Sequence, residues 1–140
     1  MPASSTPVVT LQRVGQIAIP VEDLDRAVAF YAEVLGLRLL FRAPPGLAFF
    51  DCGGVRLMLS RPEGAEPAGR AGVVYYLVAD LAAAHAALAA RGAHIVQPPH
   101  LIAKLPDHDL WMAFLHDSEG NLVGLMSEVR ATHLLTSDQP

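Results

Sequence analysis

Two stretches of the chain repeat one pattern of apolar and polar positions. Gln16-Ile17-Ala18-Ile19-Pro20-Val21-Glu22-Asp23-Leu24 and Val73-Val74-Tyr75-Tyr76-Leu77-Val78-Ala79-Asp80-Leu81 are apolar runs that end in Val-x-Asp-Leu, 57 residues apart. Each run reads as a strand, and each Asp as the N-cap of a following helix whose first free N–H groups its carboxylate can accept. Helical spacing then follows in both copies, through Leu24, Ala27, Val28, Tyr31 and Leu35 in the first and Leu81, Ala84 and Leu88 in the second. Both helical patterns stop at a glycine, Gly36 and Gly92, the residue that takes a left-handed C-terminal position at least cost. Strands are predicted next over 37–41 and 93–97, then over 47–51 and 113–117. Glycine turns at Gly53-Gly54 and Gly120-Asn121 lead into last strands over 55–60 and 122–127.

Each half therefore reads β-α-β-β-β, and the second carries ten extra residues between about Gln97 and Leu110. A half of this size cannot cover both faces of its own sheet, so the two must pair. The expected architecture is α+β, two paired βαβββ modules forming a cupped sheet around a cleft. One domain over 11–130 is expected, with module one at 13–60, a Pro- and Gly-rich linker at 61–72 and module two at 73–130. Residues 1–10 and 131–140 are expected to be tails.

Composition narrows the function classes. At 52% hydrophobic and 17% charged residues the chain is too apolar for disorder, yet no apolar run reaches the ~20 residues of a membrane helix. A net charge of −4, with Lys104 the only lysine, offers no basic footprint for nucleic acid. Cys52 is the only cysteine, which excludes an intrachain disulfide and a cysteine-based zinc cluster, and no neighbour in sequence would lower its pKa. The first ten residues lack the charged and apolar regions of a signal peptide, so a cytoplasmic protein is expected.

The paired modules, with Val-Glu-Asp-Leu-Asp-Arg-Ala-Val-Ala-Phe-Tyr-Ala-Glu-Val-Leu-Gly-Leu (21–37) and Asp-Ser-Glu-Gly-Asn-Leu-Val-Gly-Leu-Met (117–126), resemble the vicinal oxygen chelate superfamily of glyoxalases, extradiol dioxygenases and bleomycin-binding proteins. The resemblance covers about residues 13 to 130. It implies a divalent-metal site with one ligand from the first and one from the last strand of each module, positions that fall on Gln16, Met58, Val73 and Gly124 here. Only Gln16 could offer oxygen to a hard cation, so the inherited site is expected to be degenerate and metal-free, with no cofactor. The resemblance, with the high apolar fraction, also implies a homodimer whose modules pair within or between chains.

Without the metal there remains a cleft. If Gln16 faces it, strand periodicity adds Arg56, Met58, Tyr75, Gly124 and Met126 to an apolar wall suited to an apolar or aromatic small molecule, and Gly124 in place of a carboxylate is expected to widen it. The ten-residue insertion is expected to be a loop over the mouth, with His100 and His108 as candidate acid and base and Lys104 and Trp111 as candidate ligand contacts. Three functions stay open at this point: a small-molecule binder, a metal-independent isomerase, lyase or cyclase using His100 and His108, and a metal-dependent enzyme of the glyoxalase or dioxygenase type. No Walker, Rossmann or Gly-x-Ser-x-Gly pattern is present.

Overall fold

The computed structural model of the chain describes residue 9 and residues 12–61 and 72–130. The elements among them are β1 (Gln16–Pro20), α1 (Leu24–Ala29), which runs into a π-helical turn (Phe30–Val34), β2 (Arg38–Ala43), β3 (Leu47–Cys52), β4 (Val55–Ser60), β5 (Val74–Leu77), α2 (Leu81–Ala90), β6 (His94–Lys104), β7 (His108–His116) and β8 (Leu122–Arg130). They form two four-stranded sheets of order β1-β4-β3-β2 and β5-β8-β7-β6. In each, the first strand pairs parallel with the last and the remaining pairs are antiparallel. The fold is thus α+β, two copies of βαβββ, as the repeat predicts. The expected linker, apart from its ends, and the expected tails, apart from Val9, lie outside the described residues.

Local rules account for the ends of the helices. Asp23 accepts the N–H of Arg26 and Asp80 that of Ala83, both at 3.0 Å, so each carboxylate satisfies a donor the first helical turn leaves free. Gly36 and Gly92 hold positive φ of 76° and 86° just past the helices. Alternation along the strands then sorts residues to two faces. On sheet one the side covered by α1 buries Ile19, Ala48, Phe50, Leu57 and Leu59 around Ala27 and Tyr31; on sheet two Ala113, Leu115, Val123 and Leu125 meet Leu81 and Leu88 of α2. Among the described residues the opposite face of each sheet carries no helix, and we call it the open face.

The segment between Gln97 and Leu110 corrects the sequence reading. It is a strand hairpin rather than a loop: β6 continues through Pro98 and Pro99 to Lys104, and β7 starts at His108. Proline normally breaks a ladder, but β6 is the outer strand of its sheet, where a missing N–H costs little. Its register against β7 shifts between Ile95 and Gln97, between Gln97 and His100, and between Leu101 and Ala103, which absorbs the irregularity as bulges.

The modules meet on their helix sides. Val74 and Tyr76 of β5 pack on the first core, and Phe30, Val34 and Leu35 pack on the second. The turn after β7 plugs into the start of α1: Tyr31 donates its hydroxyl to Asp117 at 2.8 Å, Asn121 Nδ2 donates to the carbonyl of Pro20 at 2.9 Å, and Glu119 pairs with Arg26 at 2.8 Å. No helix among the described residues is long and apolar enough to cross a membrane.

Candidate functional site

The expected wall residues sit on the two open faces. Gln16 and Arg56 are exposed on sheet one, with Met58 half-buried between β1 and β3. Arg56 stands over the Phe49 ring at 5.5 Å, and Phe49 stacks on Phe41 at 4.6 Å, so this polar group of the wall has an aromatic partner. On sheet two Tyr75 lies edge-on to Phe114 at 5.8 Å, with Met112 and Met126 opposite each other one step further along. Phe41 is 47% and Tyr75 44% exposed, so both aromatic faces are open to solvent.

The four positions of the implied metal site do not fit a divalent cation. The amide nitrogen of Gln16 donates to the Met58 thioether at 3.6 Å, so these two satisfy each other weakly. Val73 has no donor, and the space a side chain at position 124 would need is filled by the Tyr75 ring: a Cβ on Gly124 would stand 2.6 Å from Tyr75 Cδ2. Gly124 therefore seats an aromatic ring and does not widen the site, which corrects the sequence expectation. Restoring the inherited carboxylate with Gly124→Glu is expected to displace Tyr75 and to cost about 1–3 kcal/mol of stability, as overpacking does. Adding Tyr75→Ala should then recover part of the loss, a non-additivity readable in urea denaturation of the four-protein cycle.

The β6–β7 hairpin does not bring its two candidate histidines together. His100 pairs with Met112, and His108 lies four residues further along β7, roughly 13 Å away at strand rise. His100 Nδ1 is 2.9 Å from the carbonyl of Pro98 and His108 Nδ1 is 2.8 Å from Asp107, so each ring is anchored locally. The hydrogen bond from His108 holds the Asp107 carboxyl below its ordinary value. His100 rests near Phe114 on the open face, with ring centroids 6.3 Å apart. Lys104 is opposite Asp109 near the hairpin tip, exposed, and Trp111 packs on the second core.

A hollow that sequence analysis missed lies in the seam between the modules. It is a cavity of about 680 Å³ lined almost wholly by apolar side chains. Val34, Leu35 and Leu37 come from the end of the first helix, Ala84, Ala87, Leu88 and Arg91 from the second, and Cys52, Gly53 and Val55 from the β3–β4 turn. Both faces of β5 contribute, Tyr75 and Leu77 from the open side and Val74 and Tyr76 from the helix side, so the cavity wraps around the edge of that strand. The hydroxyl of Tyr76 is out of solvent with no hydrogen-bond partner among the described residues, and burial raises its pKa. Burial, then Asp51, raises the pKa of the Cys52 thiol, which disfavours the thiolate.

The repeat explains why the hollow exists. Asp117-Ser118-Glu119-Gly120-Asn121 of module two plugs the junction beside α1, with Tyr31 beneath it. The matching turn of module one is the shorter Asp51-Cys52-Gly53-Gly54, and the residue matching Tyr31 is Leu88. The smaller turn and smaller side chain leave open on one side of the junction what is filled on the other. That difference between the copies was the signal in the sequence.

The sequence profile of the Glyoxalase/Bleomycin resistance protein/Dioxygenase superfamily matches residues 13–125. Among solved structures, TioX from Micromonospora sp. ML1 is 28% identical with a TM-score of 0.68, the match covering 84% of this chain and 100% of that one. A lactoylglutathione lyase from Agrobacterium tumefaciens (24%, TM-score 0.68, 84% and 94% covered) shares the fold. So does a superfamily member from Sphaerobacter thermophilus DSM 20745 (21%, TM-score 0.71, 84% and 98% covered). No curated protein matches the chain.

Proposed function

The chain belongs to the Glyoxalase/Bleomycin resistance protein/Dioxygenase superfamily, and from that premise we propose that it binds an apolar or aromatic small molecule in the seam cavity, without a metal at the inherited positions. The observation that carries this reading is the cavity itself. At about 680 Å³ it lies within the usual range for small-molecule sites, and its walls are apolar. Arg91, which donates to the carbonyl of Val34 at 2.9 Å, adds a cation to the lining, so an apolar ligand with an acceptor or anionic end fits best.

The test uses an anilinonaphthalene sulfonate fluorophore as an apolar, anionic probe. Ala87 lines the cavity from the exposed side of α2, so Ala87→Trp should fill it without touching the core. Probe affinity is expected to fall about tenfold or more while the urea midpoint stays near that of the wild type. Unchanged affinity would sink the reading, and loss on Arg56→Gln or Met58→Ala instead would move the ligand to the open face of sheet one.

The second part of the proposal is a homodimer. Leu39, Leu40 and Phe41 on β2 and Leu101, Ile102 and Leu105 at the β6–β7 hairpin are exposed apolar side chains that a subunit interface would cover. Light scattering should give twice the 14.9 kDa chain mass at micromolar concentration, and the single-chain mass throughout would exclude it.

A further inference from the structure

Two histidines outside the cavity and outside the inherited metal positions face each other across a strand pair. His94, at the start of β6, is directly opposite His116, at the end of β7. Their Nδ1 atoms are 3.4 Å apart and their ring centroids 5.0 Å apart, with the ring planes crossed at 71°. At that separation the two nitrogens share one long hydrogen bond whose donor depends on the tautomer, so each Nδ1 is aimed at the other and both lone pairs converge once that proton is displaced.

The distance has a second meaning. Two imidazole nitrogens bound to one tetrahedral zinc at the usual bond length are separated by about 3.3–3.4 Å. The pair as it stands already has that separation, so a cation could enter with little movement of either ring. Strand pairing fixes the spacing, because residues opposite each other in an antiparallel ladder hold their side chains on the same face at a constant distance. His94 is exposed and His116 half-buried, which gives a cation an approach from solvent.

We propose that His94 and His116 form a two-histidine clamp for a divalent transition-metal ion that favours imidazole, such as Zn(II), Cu(II) or Ni(II), rather than for Mg(II) or Ca(II). No third His, Cys, Asp or Glu joins the pair among the described residues. The clamp therefore supplies two ligands and leaves the remaining coordination positions to water or to a donor from a small molecule, which makes the ion exchangeable rather than resident. It is independent of the cavity reading: the cavity is lined by neither histidine.

Calorimetric titration of the chelator-treated protein with ZnCl2 and CuCl2 tests it, with MgCl2 as the hard-cation control. The wild type is expected to bind one equivalent of Zn(II) or Cu(II) and no Mg(II). Either His94→Ala or His116→Ala should weaken binding by about tenfold or more, since each removes half the protein ligands. His100→Ala and His108→Ala should leave it unchanged. Since His116 adjoins the buried Asp117, His94→Ala on the outer strand is the decisive variant, and its melting temperature without metal should match the wild type. Added Zn(II) should raise the melting temperature of the wild type but not that of His94→Ala. Wild-type affinity in His94→Ala, or no binding to the wild type up to millimolar metal, would overturn the clamp and leave the cavity reading untouched.

Discussion

Replacing Asp117 with alanine is expected to cost about 3–5 kcal/mol of folding stability, because a buried carboxyl gives up hydrogen bonds from four donors and leaves them bare. The residue is 6% exposed. Its Oδ1 accepts the N–H groups of Glu119 and Asn121, both at 2.8 Å, and its Oδ2 accepts the Tyr31 hydroxyl at 2.8 Å and Asn121 Nδ2 at 2.9 Å. Alanine would release the turn that joins the modules and strand the Tyr31 hydroxyl in a core where that residue is wholly buried. Tyr31→Phe is the milder change. It removes one donor, leaves the carboxylate three others, and should cost roughly 1–1.5 kcal/mol. The double variant should cost less than the two single variants added together, because the stranded hydroxyl no longer exists. Urea denaturation of the four proteins measures this, and an Asp117→Ala loss below about 1 kcal/mol would show that the turn does not hold the modules together.

The features that could be read from the sequence are those set by neighbours in the chain. The Asp23 and Asp80 caps and the helix stops at Gly36 and Gly92 follow from backbone groups within a few residues, and the succession β-α-β-β-β from a repeat whose two copies obey the same rules. The continuation of β6 through Pro98 and Pro99 was not legible, because proline is excluded from a strand only if its N–H faces a partner, and which strand lies at the edge is a tertiary fact. Partners such as Tyr31 and Asp117, 86 residues apart, belong to the same class.

The candidate site divides in the same way. Period-two alternation placed Gln16, Arg56, Met58, Tyr75 and Met126 on the helix-free faces of their sheets, which needs only strand geometry. It could not show that the Tyr75 ring occupies the place over Gly124, since a glycine reads equally as an opening and as a seat. Nor could it find the cavity, whose walls come from both helices, a turn and both sides of β5, and whose volume depends on how the modules sit.

Glu119 gives the second large effect, and it depends on pH. Its side chain is 1% exposed at the start of α1, where it accepts the N–H groups of Glu22 and Asp23 at 3.0 and 2.9 Å, the Arg26 guanidinium at 2.8 and 3.1 Å and the Ser118 hydroxyl at 2.9 Å. Burial by itself raises a carboxyl pKa, but the bonds from Arg26, Asp23, Ser118 and Glu22 outweigh it and hold this one at about 2, below the ordinary 4.5. Glu119→Ala is expected to cost about 2–4 kcal/mol at pH 7, through the lost charge-assisted bonds between the modules and the backbone donors left bare. Because the folded pKa lies below the unfolded one, the carboxylate's share of stability is complete above roughly pH 5 and drains away as the pH falls toward 2. Glu119→Gln keeps the shape and cannot titrate, so its gap from the wild type should be widest near neutral pH and close steadily over that acid range. Urea midpoints for the two proteins at several pH values measure the gap. A gap that stays constant from pH 7 to pH 2 would mean that the carboxyl keeps its unfolded pKa in the folded chain and that Glu119 joins the modules by shape alone.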